Sequence, residues 1–202
     1  MAKKTDLRVK RTRKLINDAF LKFIEEKGFE AMTIQEIADE ALINRATFYL
    51  HYDDKYDLLE KMSADVIQEL ISVINPPFHQ ADQEVIIQRL KGSVTNVYQC
   101  VQKHQMFYQV MFGKNGINGF RNNLEEVIRE KFDRHIKEVV KDSTQFQIPK
   151  DLLLHFISAA FVAVIQWWLN QEEKPTPEEM ANQLSKLITQ GPIQTAGFKI
   201  EG

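Results

Sequence analysis

The side chains best suited to a chemical role in this sequence are polar and basic groups between residues 33 and 55. Arg45 carries the paired N–H donors that hydrogen-bond O6 and N7 of guanine, and a favourable helix N-cap, Asn44, precedes it. Ala46, Thr47 and Leu50 offer methyl or short polar contacts to bases, and the other polar groups suit phosphate oxygens. A solvated surface charge is the alternative role for Arg45, and packing against the following helix is the alternative for His51. The predicted DNA-contacting residues of the segment are Thr33, Asn44, Arg45, Ala46, Thr47, Tyr49, Leu50, His51 and Lys55.

Basic residues are concentrated at the start of the chain. Residues 1–14 contain seven Lys and Arg residues against one Asp, a balance of +6, whereas the whole chain carries −2. This asymmetry gives one basic edge that attracts phosphate, without making the whole protein bind polyanions. We expect Lys10 and Arg11 to contact the DNA backbone or an adjacent minor groove.

Two short helices and a tight turn must position the residues between 33 and 55. Thr33 and Glu36 have the spacing of a capping box, which begins one helix, and Asn44 begins the next. The apolar faces of both helices can pack on a third helix, predicted from Leu7 to Lys27. This arrangement is a helix-turn-helix, whose second helix enters a DNA groove.

Sequence signatures of enzymes and of metal sites are absent. There is no Gly-x-Ser-x-Gly, His-Glu-x-x-His or Gly-x-Gly-x-x-Gly segment, and no two of the five histidines are four residues apart. The glycine-rich loop at residues 113–119 has no preceding strand and no Gly-Lys-Ser/Thr, so a helix connector is favoured over a phosphate site. We therefore predict no enzyme, no catalytic residue, no metal and no cofactor. A helical adaptor is disfavoured because protein contact does not require a basic edge.

The remainder of the chain has helical periodicity and no strand pattern. We predict an all-α fold of about nine helices, with a helix-turn-helix DNA-binding domain at residues 1–60 and a ligand-sensing and dimerisation domain at residues 61–202. The predicted helices after the helix-turn-helix span residues 55–74, 82–103, 104–112, 120–141, 149–170 and 177–190, and Pro76 and Pro77 end the first of them.

The helix predicted from residue 149 to 170 is apolar on nearly all sides and must therefore be covered on all sides. One chain of this size covers one side, so we predict that a second copy covers another. Two helices from each subunit, those at 149–170 and 177–190, would then form the four-helix bundle of a homodimer. A central core helix of a monomer is the alternative. The predicted interface residues are Phe156, Ala159, Ala160, Ala163, Trp168, Leu184, Leu187 and Ile188.

Aromatic and methionine residues are concentrated between positions 98 and 168. This composition suits a pocket for a flat or apolar small-molecule effector, with ordinary core packing as the alternative for each residue. The predicted lining residues are Tyr98, Phe107, Tyr108, Met111, Phe132, Phe161 and Trp167.

The sequence indicates a cytoplasmic protein with no membrane partner. No apolar signal region follows the first charges, and the longest apolar stretch, residues 156–169, is too short to cross a bilayer. The single cysteine, Cys100, excludes an intramolecular disulfide and fits a reducing compartment. We expect Cys100 to be a small core residue, with a redox or ligand sensor as the alternative.

Residues from about Lys10 to Leu59 resemble the DNA-binding domain of the TetR family of bacterial transcriptional regulators. The resemblance implies a homodimer, which would bind a palindromic DNA operator. We expect a repressor that an effector releases by changing the tilt of the helix at 55–74. The alternative is an activator or co-regulator that responds to a partner protein. The matching residues are Thr33-Ile34, Glu36-Ile37-Ala38, Ala41, Ile43-Asn44, Thr47-Phe48-Tyr49, His51-Tyr52, Lys55 and Leu58-Leu59.

Three positions depart from the family pattern. Leu42 and Ala46 stand where glycine is usual, and Leu50 stands where a polar residue is usual. We expect Leu42 to alter the turn slightly and Leu50 to contact a thymine methyl group. The segment FYQVMFGKNGINGF, together with WWL at 167–169, resembles a subgroup that includes the activator of dihydroxyacetone kinase operons. In that subgroup the effector can be a partner protein.

Overall fold

Nine α-helices and no β-strand make up the part of the chain that a computed structural model describes, residues 2–75, 87–139 and 146–199. The predicted all-α class is therefore confirmed. The helices are α1 (Ala2–Lys27), α2 (Ile34–Glu40), α3 (Arg45–Tyr49), α4 (Lys55–Val73), α5 (Ile87–Lys103), α6 (Gln105–Phe112), α7 (Phe120–Val139), α8 (Lys150–Leu169) and α9 (Pro177–Thr195).

Side-chain caps define the starts of four helices. The oxygens of Thr33 and Asn44 accept hydrogen bonds from backbone N–H groups in the first turns of α2 and α3. Asp54 Oδ1 accepts two such bonds, both 2.8 Å long, at the start of α4, and Thr176 caps α9. Each cap satisfies an N–H group that the helix itself leaves without a partner, which stabilises it by about 1 kcal/mol. The predicted caps at Thr33 and Asn44 are confirmed.

Two helices run further than predicted. Helix α1 begins at Ala2 instead of Leu7, so the basic residues at the start of the chain belong to a helix. The last helix was predicted to end at residue 190, but Gly191, with φ 76° and ψ 166°, breaks α9 without ending it. A further turn of helix reaches Thr195. The predicted start of α5 at 82, the predicted end of α7 at 141 and the diproline at 76–77 lie outside the described residues.

The chain forms two compact units. The first comprises Met1–Gln68 and Met106–Phe120, and the second comprises Glu69–Gln105 and Arg121–Gly202. The predicted boundary at residues 60 and 61 falls inside α4, and the first unit also takes in a segment predicted to belong to the second. Within the first unit, Asn115 Nδ2 donates to the carbonyl oxygen of Glu25 over 2.8 Å. Such contacts between distant parts of the chain leave no periodic signal in the sequence.

In the second unit, aromatic packing and an ion-pair cluster connect neighbouring helices. Tyr98 on α5 packs edge-to-face on Trp168 of α8, with 5.2 Å between ring centroids. Glu69 on α4 accepts hydrogen bonds from Lys103 and His104, over 2.6 and 2.8 Å. Cys100 is buried, and burial raises the pKa of its thiol to about 11, as expected of a core residue.

Helix α8 is longer than the apolar stretch identified in the sequence. Its 20 residues are enough, by length and composition alone, to cross a bilayer, and it is the one such helix among the described residues. The helix includes residues 150–155 before the apolar stretch at 156–169, and these additional residues bring it to that length. A core helix of a soluble protein passes the same test, and α8 packs on neighbouring helices through Trp168 and through Phe161, which meets Phe132 of α7.

Candidate nucleic-acid interface

The short helix α3 is held by two aromatic residues that face the core of the first unit. Phe48 is fully buried and Tyr52 is nearly so. The Tyr52 hydroxyl lies 3.2 Å from Oδ1 of Asn17, which links the end of α3 to α1. With this face fixed, the opposite side of α3 and its C-cap present Arg45, Ala46, Tyr49 and Leu50 to solvent. Leu50 is 81% exposed.

Arg45 and Tyr49 form a pair one turn apart on the exposed face of α3. The Arg45 guanidinium donates to the Tyr49 hydroxyl over 3.0 Å and lies 5.5 Å from the centroid of the tyrosine ring. A guanidinium held in this way loses less conformational entropy when it binds a planar acceptor. The pair therefore presents a pre-oriented fork of N–H donors at the place where a helix-turn-helix contacts base edges.

The hydroxyl groups of Thr33 and Thr47 both donate hydrogen bonds to side chains in the first turns of their helices. Thr33 Oγ1 donates to Glu36 over 2.9 Å, and Thr47 Oγ1 donates to Asn44 Oδ1 over 2.8 Å. The hydrogen bond from Lys27 to Glu36, followed by those from Thr33, lowers the pKa of Glu36 to about 2. The predicted contacts of Thr33 and Thr47 with DNA therefore require their hydroxyl hydrogens to exchange partners, while Asn44 has a structural role at the N-cap.

Arg13 connects the basic edge of α1 to the end of α3, and the sequence analysis did not single it out. Its guanidinium lies 5.6 Å from the centroid of the Tyr52 ring. Partial burial, followed by the charge of Arg13, lowers the pKa of His51. Burial and Arg13 thus disfavour the charged form of His51 in this surrounding. Lys10 and Arg11 are exposed on α1.

Lys55 has a different role from the predicted one. Its Nζ atom donates to the carbonyl oxygens of Phe29, Glu30 and Met32, at 3.1, 3.0 and 3.2 Å. These three bonds use all the donors of the ammonium group. Lys55 therefore fixes the connection between α1 and α2, and it is removed from the predicted phosphate contacts. The carbonyl groups are more than 20 residues upstream, so the spacing of the sequence did not reveal them.

The turn between α2 and α3 contains a strained leucine. Leu42 has φ 55°, in the left-handed region that glycine adopts without steric cost, and its side chain is 91% exposed. Hydrogen bonds from Leu42 N to Asp39 O and from Ile43 N to Ala38 O fix this geometry. The turn thus takes a conformation suited to the glycine that is usual in the family, and the leucine bears a strain of about 1–2 kcal/mol.

The seven residues predicted to line an effector pocket divide between the two compact units. Phe107, Tyr108 and Met111 lie in the first compact unit, whereas the other four predicted residues lie in the second. Tyr98 and Phe132 are buried, and burial raises the pKa of the Tyr98 hydroxyl. Trp167 is 48% exposed and lines a surface groove between α8 and α9. Trp167 therefore lies on the surface of the second unit, and the effector pocket stays a prediction.

The two neighbouring tryptophans differ in burial from what was predicted. Trp168, predicted at the dimer interface, is fully buried within one chain, and its Nε1 donates to the carbonyl oxygen of Pro175 over 2.7 Å. Trp167, predicted in the pocket, lies on the surface. Successive residues differ by about 100° around a helix, and α8 is too uniformly apolar for periodicity to identify its buried side. The other predicted interface residues are exposed or half-buried: Phe156, Ala159, Ala160, Ala163, Leu184, Leu187 and Ile188.

Two family models cover most of this architecture. Residues 16–62 match the model described as bacterial regulatory proteins, tetR family. Residues 88–190 match the model described as transcriptional regulator C-terminal region. The chain belongs to the TetR family. TetR-family proteins are DNA-binding transcriptional regulators, so this chain is a regulator and not an enzyme. The family is typically dimeric.

Individual relatives in the TetR family are distant. The HTH-type transcriptional regulator YxbF of Bacillus subtilis (strain 168) is 22% identical over 87% of this chain, which spans only 44% of that relative. The "Probable acrEF/envCD operon repressor" of Escherichia coli (strain K12) is 26% identical over 84% of this chain and 81% of its own length.

Solved structures of TetR-type regulators share the fold. A TetR-family regulator from Syntrophomonas wolfei has a TM-score of 0.65 at 18% identity, over 96% of this chain and 99% of that one. The dihydroxyacetone kinase operon activator DhaS has a TM-score of 0.51 at 16% identity, over 94% and 98%. At these identities the likeness shows the fold alone.

Proposed function

We propose that this TetR-family protein is a cytoplasmic repressor, which binds a palindromic operator as a homodimer. The observation that carries this proposal is the exposed face of α3, where Arg45 is held by Tyr49 on a helix fixed by buried Phe48. One such helix contacts only a few base pairs. Two copies related by a twofold axis, about one turn of B-DNA apart, distinguish a site in a genome.

Five exposed residues of the helix-turn-helix have a proposed partner on the operator. Arg45 binds a guanine through O6 and N7, and Leu50 and Ala46 contact thymine methyl groups. Tyr49 and Thr33 bind phosphates, as do Lys10 and Arg11 on the exposed side of α1. We add Arg13 to the residues that bind phosphates, because it lies beside the end of α3.

Repression is favoured by the relative from Escherichia coli that is named as an operon repressor. We propose that an effector acts on the second unit and changes the tilt of α4, which passes from the first unit into the second at Gln68. A changed tilt alters the separation of the two α3 helices and lowers operator affinity. Activation in response to a partner protein is the alternative, and it predicts the opposite change in transcription.

Fluorescence anisotropy with labelled DNA from upstream of the protein's own gene tests the binding. We expect the protein to bind a palindromic segment with higher affinity than other DNA. The affinity should fall steeply as the salt concentration rises. DNA carrying one half-site should bind much more weakly. Equal affinity for palindromic and scrambled DNA would contradict the proposal.

A transcriptional reporter behind the same DNA tests the mode of regulation. Deleting the regulator raises expression if it is a repressor and lowers expression if it is an activator. A variant with Arg45→Ala should behave like the deletion, because it removes operator recognition and leaves the rest of the protein intact.

A further inference from the structure

The chain after helix α9 is folded into a defined motif. Gly191 breaks the helix axis, one more turn ends at the C-cap Ala196, and Gly197 has φ 90°. The backbone N–H of Phe198 donates to the carbonyl oxygen of Ile193 over 3.2 Å, and that of Gly197 donates to Gln194 over 2.9 Å. These two bonds define a Schellman motif, which brings the side chains at the positions of Ile193 and Phe198 next to each other.

Ile193 and Phe198 are both exposed, by 55% and 70%. We call this pair the C-terminal knob. Two glycines in conformations that other residues rarely adopt hold the knob in place. The backbone thus fixes two large apolar side chains on the surface, where neighbouring apolar groups usually mark a contact with another molecule.

The same end of the second unit contains an apolar groove between α8 and α9. Val164 and Trp167 line it from α8, and Leu184 and Leu187 line it from α9. Thr195 also lines the groove, yet Ile193 and Phe198 of the same segment remain more than half exposed. The knob therefore does not fill the groove of its own chain. The groove is continuous with the face proposed above as the dimer interface, which includes Leu184, Leu187 and Ile188.

We propose that the C-terminal knob of one subunit packs into the α8–α9 groove of a second copy of this chain. The proposal rests on the proposed homodimer and extends it, because the segment after α9 adds its own contact to a groove that includes the interface residues Leu184 and Leu187. A twofold axis makes such a contact occur twice, since each subunit offers both a knob and a groove. Apolar side chains on both surfaces match in character, and close packing would remove Trp167 from water.

Charge placed on the knob tests the contact in the full-length protein. We expect Ile193→Asp and Phe198→Asp each to weaken dimerisation about tenfold or more, measured by sedimentation velocity over a concentration series. Gln194→Asp is the matched control, because it adds the same charge to the same turn outside the knob, and it should leave the dimer unchanged. Phe198→Leu keeps the knob apolar and should also retain the dimer. Circular dichroism checks that every variant is folded.

Trp167 reports directly on the groove. Subtracting the fluorescence of Trp167→Phe from that of the wild type isolates its signal, since Trp168 is buried. We expect acrylamide quenching of Trp167 to fall as protein concentration increases, and to stay high in the two knob variants. Quenching that does not depend on concentration, or that the knob variants leave unchanged, overturns the proposal.

The failures of the two proposals are distinguishable. A wild-type dimer that the knob variants do not weaken overturns the knob contact and leaves the regulator proposal intact. A wild-type protein that is monomeric at every concentration, and binds half-sites and palindromes equally, overturns both.

Discussion

In the helix-turn-helix, exposed polar side chains are held by neighbours within four residues, whereas helices α8 and α9 expose large apolar side chains. Arg45 is bonded to Tyr49, and Thr33 to Glu36. Phe156 and Ile188, by contrast, are more than half exposed. A polar ligand such as DNA requires donors in fixed directions, because each unsatisfied group costs binding energy. An apolar partner requires mainly area and shape, so the surface that binds it does not need such pre-orientation.

The largest expected effect is a difference in stability between alanine substitutions of the two tryptophans of α8. Trp168→Ala should lower the free energy of unfolding by about 3–5 kcal/mol, because it removes a buried ring and its hydrogen bond. Trp167→Ala should cost less than about 1 kcal/mol in the monomer, since its ring is half exposed. Urea unfolding at a protein concentration where the chain is monomeric measures both. Equal losses would show that α8 is oriented differently.

The next effect concerns operator recognition. Arg45→Ala should weaken binding to the operator by about 1–3 kcal/mol and leave binding to random DNA nearly unchanged. Arg45→Lys is the control for charge, because it retains the positive group without the bidentate geometry, and it should lose specificity to a similar extent. Anisotropy titrations against operator and scrambled DNA compare the variants. Unaltered operator affinity in Arg45→Ala would exclude α3 as the reading helix.

A substitution of Lys55 tests whether this basic residue near the DNA-binding surface stabilises the fold or contacts DNA. Lys55→Met should lower the free energy of unfolding by about 1.5–3 kcal/mol, because three carbonyl groups lose a charged donor. The salt dependence of operator binding should not change. A phosphate contact would instead reduce that slope by about one, as we expect for Arg11→Ala, which serves as the comparison.

A smaller effect of opposite sign is expected in the turn. Leu42→Gly should stabilise the protein by about 0.5–1 kcal/mol, because relief of left-handed strain exceeds the added flexibility of the unfolded chain. Leu42→Ala is the control, since it shortens the side chain and keeps the strain. Chemical denaturation measures both, and a destabilised glycine variant would show that the exposed leucine makes a contact that its exposure does not reveal.

The smallest effect is a dependence on pH. The pKa of Glu36 is about 2 in the folded protein, below its ordinary value of 4.5, mainly because of Lys27. A carboxylate whose pKa is lowered by folding stabilises the fold at pH values above its ordinary pKa. This contribution is lost as the pH falls toward 2. Glu36→Gln should therefore reduce the fall in Tm between pH 5 and pH 2. Glu172→Gln, in the loop before α9, controls for the loss of one carboxylate.

The two regions also differ in what their sequences reveal. The caps at Thr33, Asn44 and Thr176 were predictable because each depends on a partner three residues away. The roles of Lys55 and Arg13 were not, because their contacts come from parts of the chain distant in sequence. In α8 the exposed face was only partly predictable, since a helix that is apolar all round has no periodic signal to distinguish Trp167 from Trp168. Membership of 106–120 in the first unit likewise depends on tertiary packing.

The discontinuity of the first unit has a consequence for its synthesis. Residues 1–68 leave the ribosome well before residues 106–120, which complete the same unit. Until then Asn115 cannot donate to the carbonyl oxygen of Glu25 near the end of α1. The first unit is therefore incomplete while residues 69–105 are being added. The first unit therefore completes its packing only after residues 69–105, about a third of the second unit, have been translated.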